Sequence, residues 1–287
     1  MPPKPKPPRP ARRSRPRAKP LRPAARGREV AAGAGHTQAL SRGLAVLEAL
    51  AATEGGATLT TLAEMLTLPA PTAHRLLATL EQAGYVQQGA GGEWLVGVRA
   101  FRVGSAFRDH RNLVVQAYPH LKRLMEQSGE TTNLAVVDDG EAVFVEQVQC
   151  RELMRMSTKL GARAPLHASG VGKAMLAAMA DGAVATVLAK RGLVRQTTHT
   201  ITDRERLAAE LVATRKRGYA IDDEEHADGL RCVAAAIWDE NGEAWAAISL
   251  AGPTSRITPG RLDELGRLAR TTADDITAAL GGHPPRG

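Results

Sequence analysis

The stretch LHASGVGKAM, residues 166–175, sets Ser169, Gly170, Val171, Gly172 and Lys173 in front of an apolar run. Glycines followed by a lysine raise the chemistry of a nucleotide phosphate loop. That loop requires Gly, four residues, Gly-Lys and then Ser or Thr. Here His167 stands at the first glycine position and Ala174 at the hydroxyl position that would hold magnesium. The nucleotide reading is excluded, and what remains is a Ser-Gly-Val-Gly turn ahead of a helical segment.

Nucleophilic chemistry would require Cys232 with His167 or His226 as base. RCVAA carries no nucleophile signature, and the middle of a strand is a poor position for attack. His167, His226 and the neighbouring acids lack metal-ligand spacing. No catalytic residue, metal or cofactor is therefore expected, and a cysteine-dependent enzyme is the remote alternative. A third kind of chemistry lies in PAPTAHRLLATL, where Thr72, His74 and Arg75 share an end of a helical pattern. A guanidinium fork there can grip a guanine edge or a phosphate.

The elements that would hold these residues follow from periodicity. QALSRGLAVLEALAA has Leu40, Leu44, Leu47 and Leu50 at helical spacing. LTTLAEMLTL reads as a short helix with Thr60 as its N-cap, and a third helix follows with Pro71 in its first turn and Gly84 at its end. YVQQGAGGEWLVG reads as a hairpin. Helix, helix, turn, helix, hairpin is the order of a winged helix-turn-helix over residues 37–97, with the helix-turn-helix at about 59–78. Ala73, Leu76, Leu77 and Leu80 would pack inward, leaving Thr72, His74 and Arg75 to meet DNA. A small helical bundle with a solvated Arg75 is the plainer alternative.

Residues 98–112 form a further amphipathic helix, apolar at Phe101, Val103 and Phe107, suited to linking and to dimerisation. From 113 to 282 helical and strand-like pieces alternate. HLKRLMEQSG is helical, Asp139-Gly140 turns one hairpin and Asn241-Gly242 another, MRMSTKLG reads as a strand, and DRERLAAELVATRKRG as a long helix. The class is α+β on a largely antiparallel sheet.

Charge is concentrated. The formal net charge is +8, but residues 1–36 hold eleven Lys/Arg against the single acid Glu29, so the rest of the chain is near −2. Nine of the seventeen prolines also lie there, in a segment that composition marks as a disordered basic arm. It would add phosphate contacts on DNA or serve as a solvated tail. No apolar run approaches the roughly 18 residues of a membrane span, and the N-terminus lacks a secretory apolar core. Two cysteines, Cys150 and Cys232, are too few for a metal knuckle or a disulfide framework. A cytoplasmic protein without membrane partners is expected.

Together LSRGLAVLEAL, TLAEMLTLPAPTAHRLLATLEQAGYV, LGARAPLHASGVGKAML, RGYAIDDEEHADGLRCVAAAI and AAISLAGPTSRIT resemble the IclR family of bacterial transcriptional regulators, from about Gln38 to Leu280. GETTNLAVVDDGEAVFVEQVQC and GLRCVAAAIWDE resemble its allantoin-pathway, glyoxylate-sensing branch. The resemblance implies a winged helix-turn-helix, a linker helix and a GAF-like effector domain, assembled as a homodimer or dimer of dimers on a double-stranded operator. It implies a repressor, or an activator, answering to glyoxylate or another small carboxylate such as pyruvate. Ser169, Gly170 and Val171 fall on the family's effector loop, where N–H groups at a helix start would grip a carboxylate. Asp222, Cys232 and Ser249 match the glyoxylate site, while a second serine of that site is Ala251 here. Without the resemblance, Cys232 reads as a small core residue and Asp222 to Glu225 as a solvated acidic loop.

Overall fold

The computed structural model describes residues 37–109 and 113–285, with the side chains of 106–109 left aside. The basic arm and Phe107's side chain therefore lie outside the described set. The chain divides into two compact units, Met1–Arg102 and Val103–Gly287.

In the first unit, α1 (Gln38–Ala52), α2 (Leu59–Met65) and α3 (Ala70–Gln82) precede the short strands β1 (Val86–Gln88) and β2 (Trp94–Val96), which pair antiparallel. Val46, Leu50, Leu62, Leu77, Val86 and Trp94 form the core, with Leu76 and Leu80 packed against it. The cap of α2 is Thr58, whose hydroxyl accepts from Thr61 N–H, and not Thr60. The reason is tertiary. Ala57 exchanges backbone hydrogen bonds with Trp94, which holds the chain extended up to Thr58 and starts the helix immediately after it. Leu40 and Leu44 are exposed, and α1 instead buries Gly43, Val46, Ala49 and Leu50. Two apolar rows run along this helix, and only one is covered within a single chain. The turn into α3 passes through Thr67 at φ 52°, a left-handed conformation for a β-branched residue. The helix α4 (Val98–Asp109) follows.

The second unit is built on a six-stranded antiparallel sheet of order β5-β4-β3-β8-β7-β6. Its strands are β3 (Thr131–Asp138), β4 (Glu141–Val148), β5 (Arg163–Pro165), β6 (Ala220–Asp223), β7 (Leu230–Trp238) and β8 (Ala244–Pro253). The helices α5 (Leu113–Ser128) and α9 (Leu262–Ala279) cover one face. On the other lie α6 (Gly170–Ala178), α7 (Asp181–Arg191) and α8 (Arg204–Arg217). Alternation along the strands separates two cores. Leu134, Val136, Val233, Ile237, Ile248 and Leu250 face α5 and α9. The α6 face is made of small residues, Ala135, Ala142, Ala220, Ala234 and Ala247, so that α6 can sink onto the sheet with Gly170 to Ala177 all buried.

MRMSTKLG is not a strand. The chain from Gln149 to Ala162 is irregular, and only Arg163–Pro165 pairs with β4. Met154 and Leu160, which imitated an alternating strand, are exposed. The segment is held by side chains instead: the Glu130–Arg256 ion pair lets Arg256 donate to Met154 O, and Gln147 accepts from Thr158 N–H.

Candidate functional site

The α6 segment begins with Ser169 in an extended conformation. Its hydroxyl donates to Pro165 O at 2.7 Å and accepts from Gly172 N–H at 3.2 Å, the geometry of an N-cap. Ser169 thus caps the helix with its own side chain. The N–H groups of Gly170 and Val171, at the first two helical positions, have no acceptor within the helix. The two glycines have separate steric reasons. A Cβ on Gly172 would collide with the backbone of Leu166, and one on Gly170 would sit 2.8 Å from Cys232 Sγ.

The strand register then aligns the remaining candidates. Asp222 lies opposite Cys232, Cys232 opposite Ala251, and Ala251 opposite Thr131. One step along, Ala234 lies opposite Ser249, and Ser249 opposite Asn133. These side chains share the α6 face, so Gly170 meets Cys232 while Ser249 reaches the same sulfur. Ser169, Val171, Asp222, Cys232 and Ser249 are all buried, Asp222 and Ser249 to within 2 % of complete enclosure. Gly170, Asp222, Cys232 and Ser249 therefore lie together on an alanine-lined face, with Ser169 and Val171 flanking Gly170 along the chain.

Burial pushes the Cys232 thiol well above its ordinary range, with the charge of Asp222 acting in the same direction. A protonated thiol in a strand interior is no nucleophile. Burial, reinforced by Glu225, raises Asp222 to about 7, although Lys173 and the N–H groups of Glu225 and His226 oppose the shift. The acidic run divides. Asp223 and Glu224 face outward, with Asp223 paired to Arg231, whereas Asp222 accepts from Glu225 N–H at 2.8 Å and Glu225 is itself buried. Lys173, the apparent phosphate-loop lysine, is also buried, forming an ion pair with Glu225 and lying 3.7 Å from Glu210. His167 lies apart from the cluster, its Nε2 3.1 Å from Val194 O, and burial lowers its pKa.

Sequence reasoning passed over Asn133, Gln147 and Met156. Asn133 donates to Ser249 Oγ at 3.2 Å, accepts from Gln147 Nε2 at 2.7 Å, and touches Met156 Sδ at 4.0 Å. The available signal was an inward-facing amide within the apolar alternation of TTNLAVV. Among the described residues no group of three or more His, Cys, Asp or Glu side chains suits a metal. A cleft of about 630 Å³ between α5 and α9 lies on the opposite face of the sheet and has no part in this cluster.

In the first unit, α3 presents His74 and Arg75 to solvent with Thr72 half-buried, while Ala73 and Leu77 face the core. Pro71 occupies the first turn and Gly84, at φ 75°, follows the helix end. No described helix is long and apolar enough to cross a membrane.

The family described as "Bacterial transcriptional regulator IclR C-terminal" matches residues 106–278, and "IclR helix-turn-helix domain" matches residues 39–90. The chain is 49% identical over 251 residues to the transcriptional repressor IclR of Escherichia coli K12, covering 86% of this chain and 92% of that protein. It is 42% identical over 250 residues to the repressor AllR of the same organism, with the same coverage of each chain. Among solved structures, an IclR homologue from Microbacterium hydrocarbonoxydans complexed with 4-hydroxybenzoate superposes with a TM-score of 0.76 at 27% identity, over 84% of this chain and 98% of that one. A helix-turn-helix unit followed by an antiparallel α+β unit, matched in both parts, makes this chain a member of the IclR family of bacterial transcriptional regulators, and not an enzyme.

Proposed function

We propose that this regulator is a cytoplasmic repressor that holds a two-fold operator through α3 and changes its grip when a small 2-oxo carboxylate, glyoxylate foremost, enters the α6 site. One observation carries the reading: two helix-start N–H groups, a buried hydroxyl, a thiol and a carboxyl converge on one enclosed spot. The N–H groups of Gly170 and Val171 and the helix dipole favour a single carboxylate. Asp222, raised to about 7, holds a proton much of the time near neutral pH and can donate it to the oxo group. Cys232 and Ser249 are short, buried side chains, which suits a ligand of two or three carbons. Ala251 beside Cys232 favours a second reading, pyruvate, whose methyl group would take the room that a serine hydroxyl fills in relatives.

At the DNA, Arg75 grips a base edge or a phosphate while Thr72 and His74 contact the backbone. The uncovered Leu40 and Leu44 on α1 and Phe101 and Val103 on α4 supply apolar surface for a homodimer, with dimers pairing further. Likeness to two repressors supports release of DNA on ligand binding. Gel-shift titration of the DNA upstream of the protein's own gene, with and without glyoxylate or pyruvate, tests this. A ligand-dependent loss of the shifted band is expected. Binding that no small 2-oxo acid alters would overturn the effector assignment.

A further inference from the structure

A chain of amides runs across the sheet into the candidate site, and its polarity is set from outside. Arg155 Nε donates to Gln149 Oε1 at 3.0 Å, which turns Gln149 Nε2 toward Gln147 Oε1 at 3.1 Å. Thr158 N–H also donates to Gln147 Oε1, at 3.3 Å. A guanidinium and a backbone N–H can only donate, so both anchors demand an oxygen, and the direction of every later bond follows. Gln147 must aim Nε2 at Asn133 Oδ1, and Asn133 must aim Nδ2 at Ser249 Oγ. Ser249 therefore accepts on its β3 side and holds its own proton on the opposite side, toward Cys232 Sγ and the start of α6.

The backbone has made room for this chain. Residue pairing between β3 and β4 slips at Val145, where Leu134 faces Glu146 but Ala135 faces Phe144. The bulge moves Gln147 onto the face of Asn133, whereas strict alternation from Phe144 would have sent it toward α5. Bulges re-aim single side chains in this way.

We propose that Asn133, oriented by Gln147, is a positioning residue that fixes Ser249 as a hydrogen-bond donor and so selects an anionic oxygen at that corner of the site. This assignment rests on the effector reading above. In a buried network the unused orientation is costly, because an amide oxygen facing Ser249 would draw the hydroxyl proton away from the ligand. A carboxylate entering beside Cys232 would then draw on the Ser249 hydroxyl and Gly170 N–H, both of which meet Cys232 Sγ, together with the neighbouring Val171 N–H.

A mutant cycle on the full-length protein, with glyoxylate as the calorimetric probe, separates this role from ordinary packing. Asn133→Ala and Ser249→Ala should each weaken binding by roughly 5–20-fold, and the double variant should bind no worse than Ser249→Ala alone. Should Asn133→Ala fail to fold, Gln147→Met enters the same cycle, with a loss of roughly 2–5-fold that also disappears in the Ser249→Ala background. Additive losses in the cycle, or unchanged binding by Asn133→Ala and Gln147→Met, would overturn the assignment while leaving the effector reading intact. Absence of binding by the wild type to glyoxylate, pyruvate and glycolate alike would overturn that reading and this assignment with it.

Discussion

Asp222 and a bound carboxylate would be two acids in one enclosed space, and the proton they share decides the pH response. Asp222 is raised to about 7 first by burial, then by Glu225, with Lys173 the nearby opposing charge. In the unfolded chain it titrates near 3.8. The folded state therefore holds the extra proton between those values, and stability falls as pH rises from about 4 to about 7, levelling above. Glu225, also raised by burial, acts in the same direction. The slope reaches at most ~1.4 kcal/mol per pH unit for each proton. Asp222→Asn should flatten it in urea unfolding measured from pH 5 to pH 8, and an unaltered slope would remove Asp222 as its source. Ligand binding should follow the same sign. An anion beside Asp222 favours its protonated form, so glyoxylate binding takes up protons and weakens as pH climbs past about 7. Calorimetry in buffers of differing ionisation heat reads that uptake directly, and proton release would contradict it.

At the scale of elements, α3 carries the clearest expectation. Arg75 stands exposed near the helix start, where a recognition helix meets base edges. Arg75→Ala should cost roughly 1–3 kcal/mol in operator affinity at fixed salt, the loss expected of a bidentate base contact. A gel-shift titration in which the variant matches the wild type would take Arg75 out of that role. What could be read from the sequence follows the reach of each signal. Local signals served well: Pro71 and Gly84 bracket α3, Asn241-Gly242 turns the β7–β8 hairpin, and the period of α8 is plain. Signals that depend on distant partners did not. Thr60 lost the cap of α2 to Thr58 because Trp94 pins Ala57, and MRMSTKLG copied a strand's alternation although only its last residue, Gly161, bonds to the backbone of β4. The short helix α7, rich in alanine and valine, is hidden between stronger patterns. In the site, Ser169–Val171, Asp222, Cys232 and Ser249 came from resemblance, and register then brought them together. Asn133 and Gln147 were hidden because one bulge decides which face Gln147 joins.

For the whole molecule, the question is how a buried site on one unit can govern DNA held by the other. A ligand shifts the balance between two states only by its differential affinity for them, so the binding and the release must be measured on the same protein. Dimers are the first requirement. Leu40, Leu44, Phe101 and Val103 leave apolar surface uncovered in one chain, and light scattering at micromolar concentration should give at least a dimer. A monomer would contradict the two-fold operator. The central claim is that a small 2-oxo acid at the start of α6 controls operator binding. Its most direct test is glyoxylate titrated into the wild type and Ser249→Ala, with heat of binding and operator anisotropy recorded on the same samples. The account predicts saturable heat and loss of operator binding over one ligand range in the wild type, both displaced to higher concentration in Ser249→Ala. Operator release that Ser249→Ala leaves unmoved, or heat without any change in DNA binding, would contradict it.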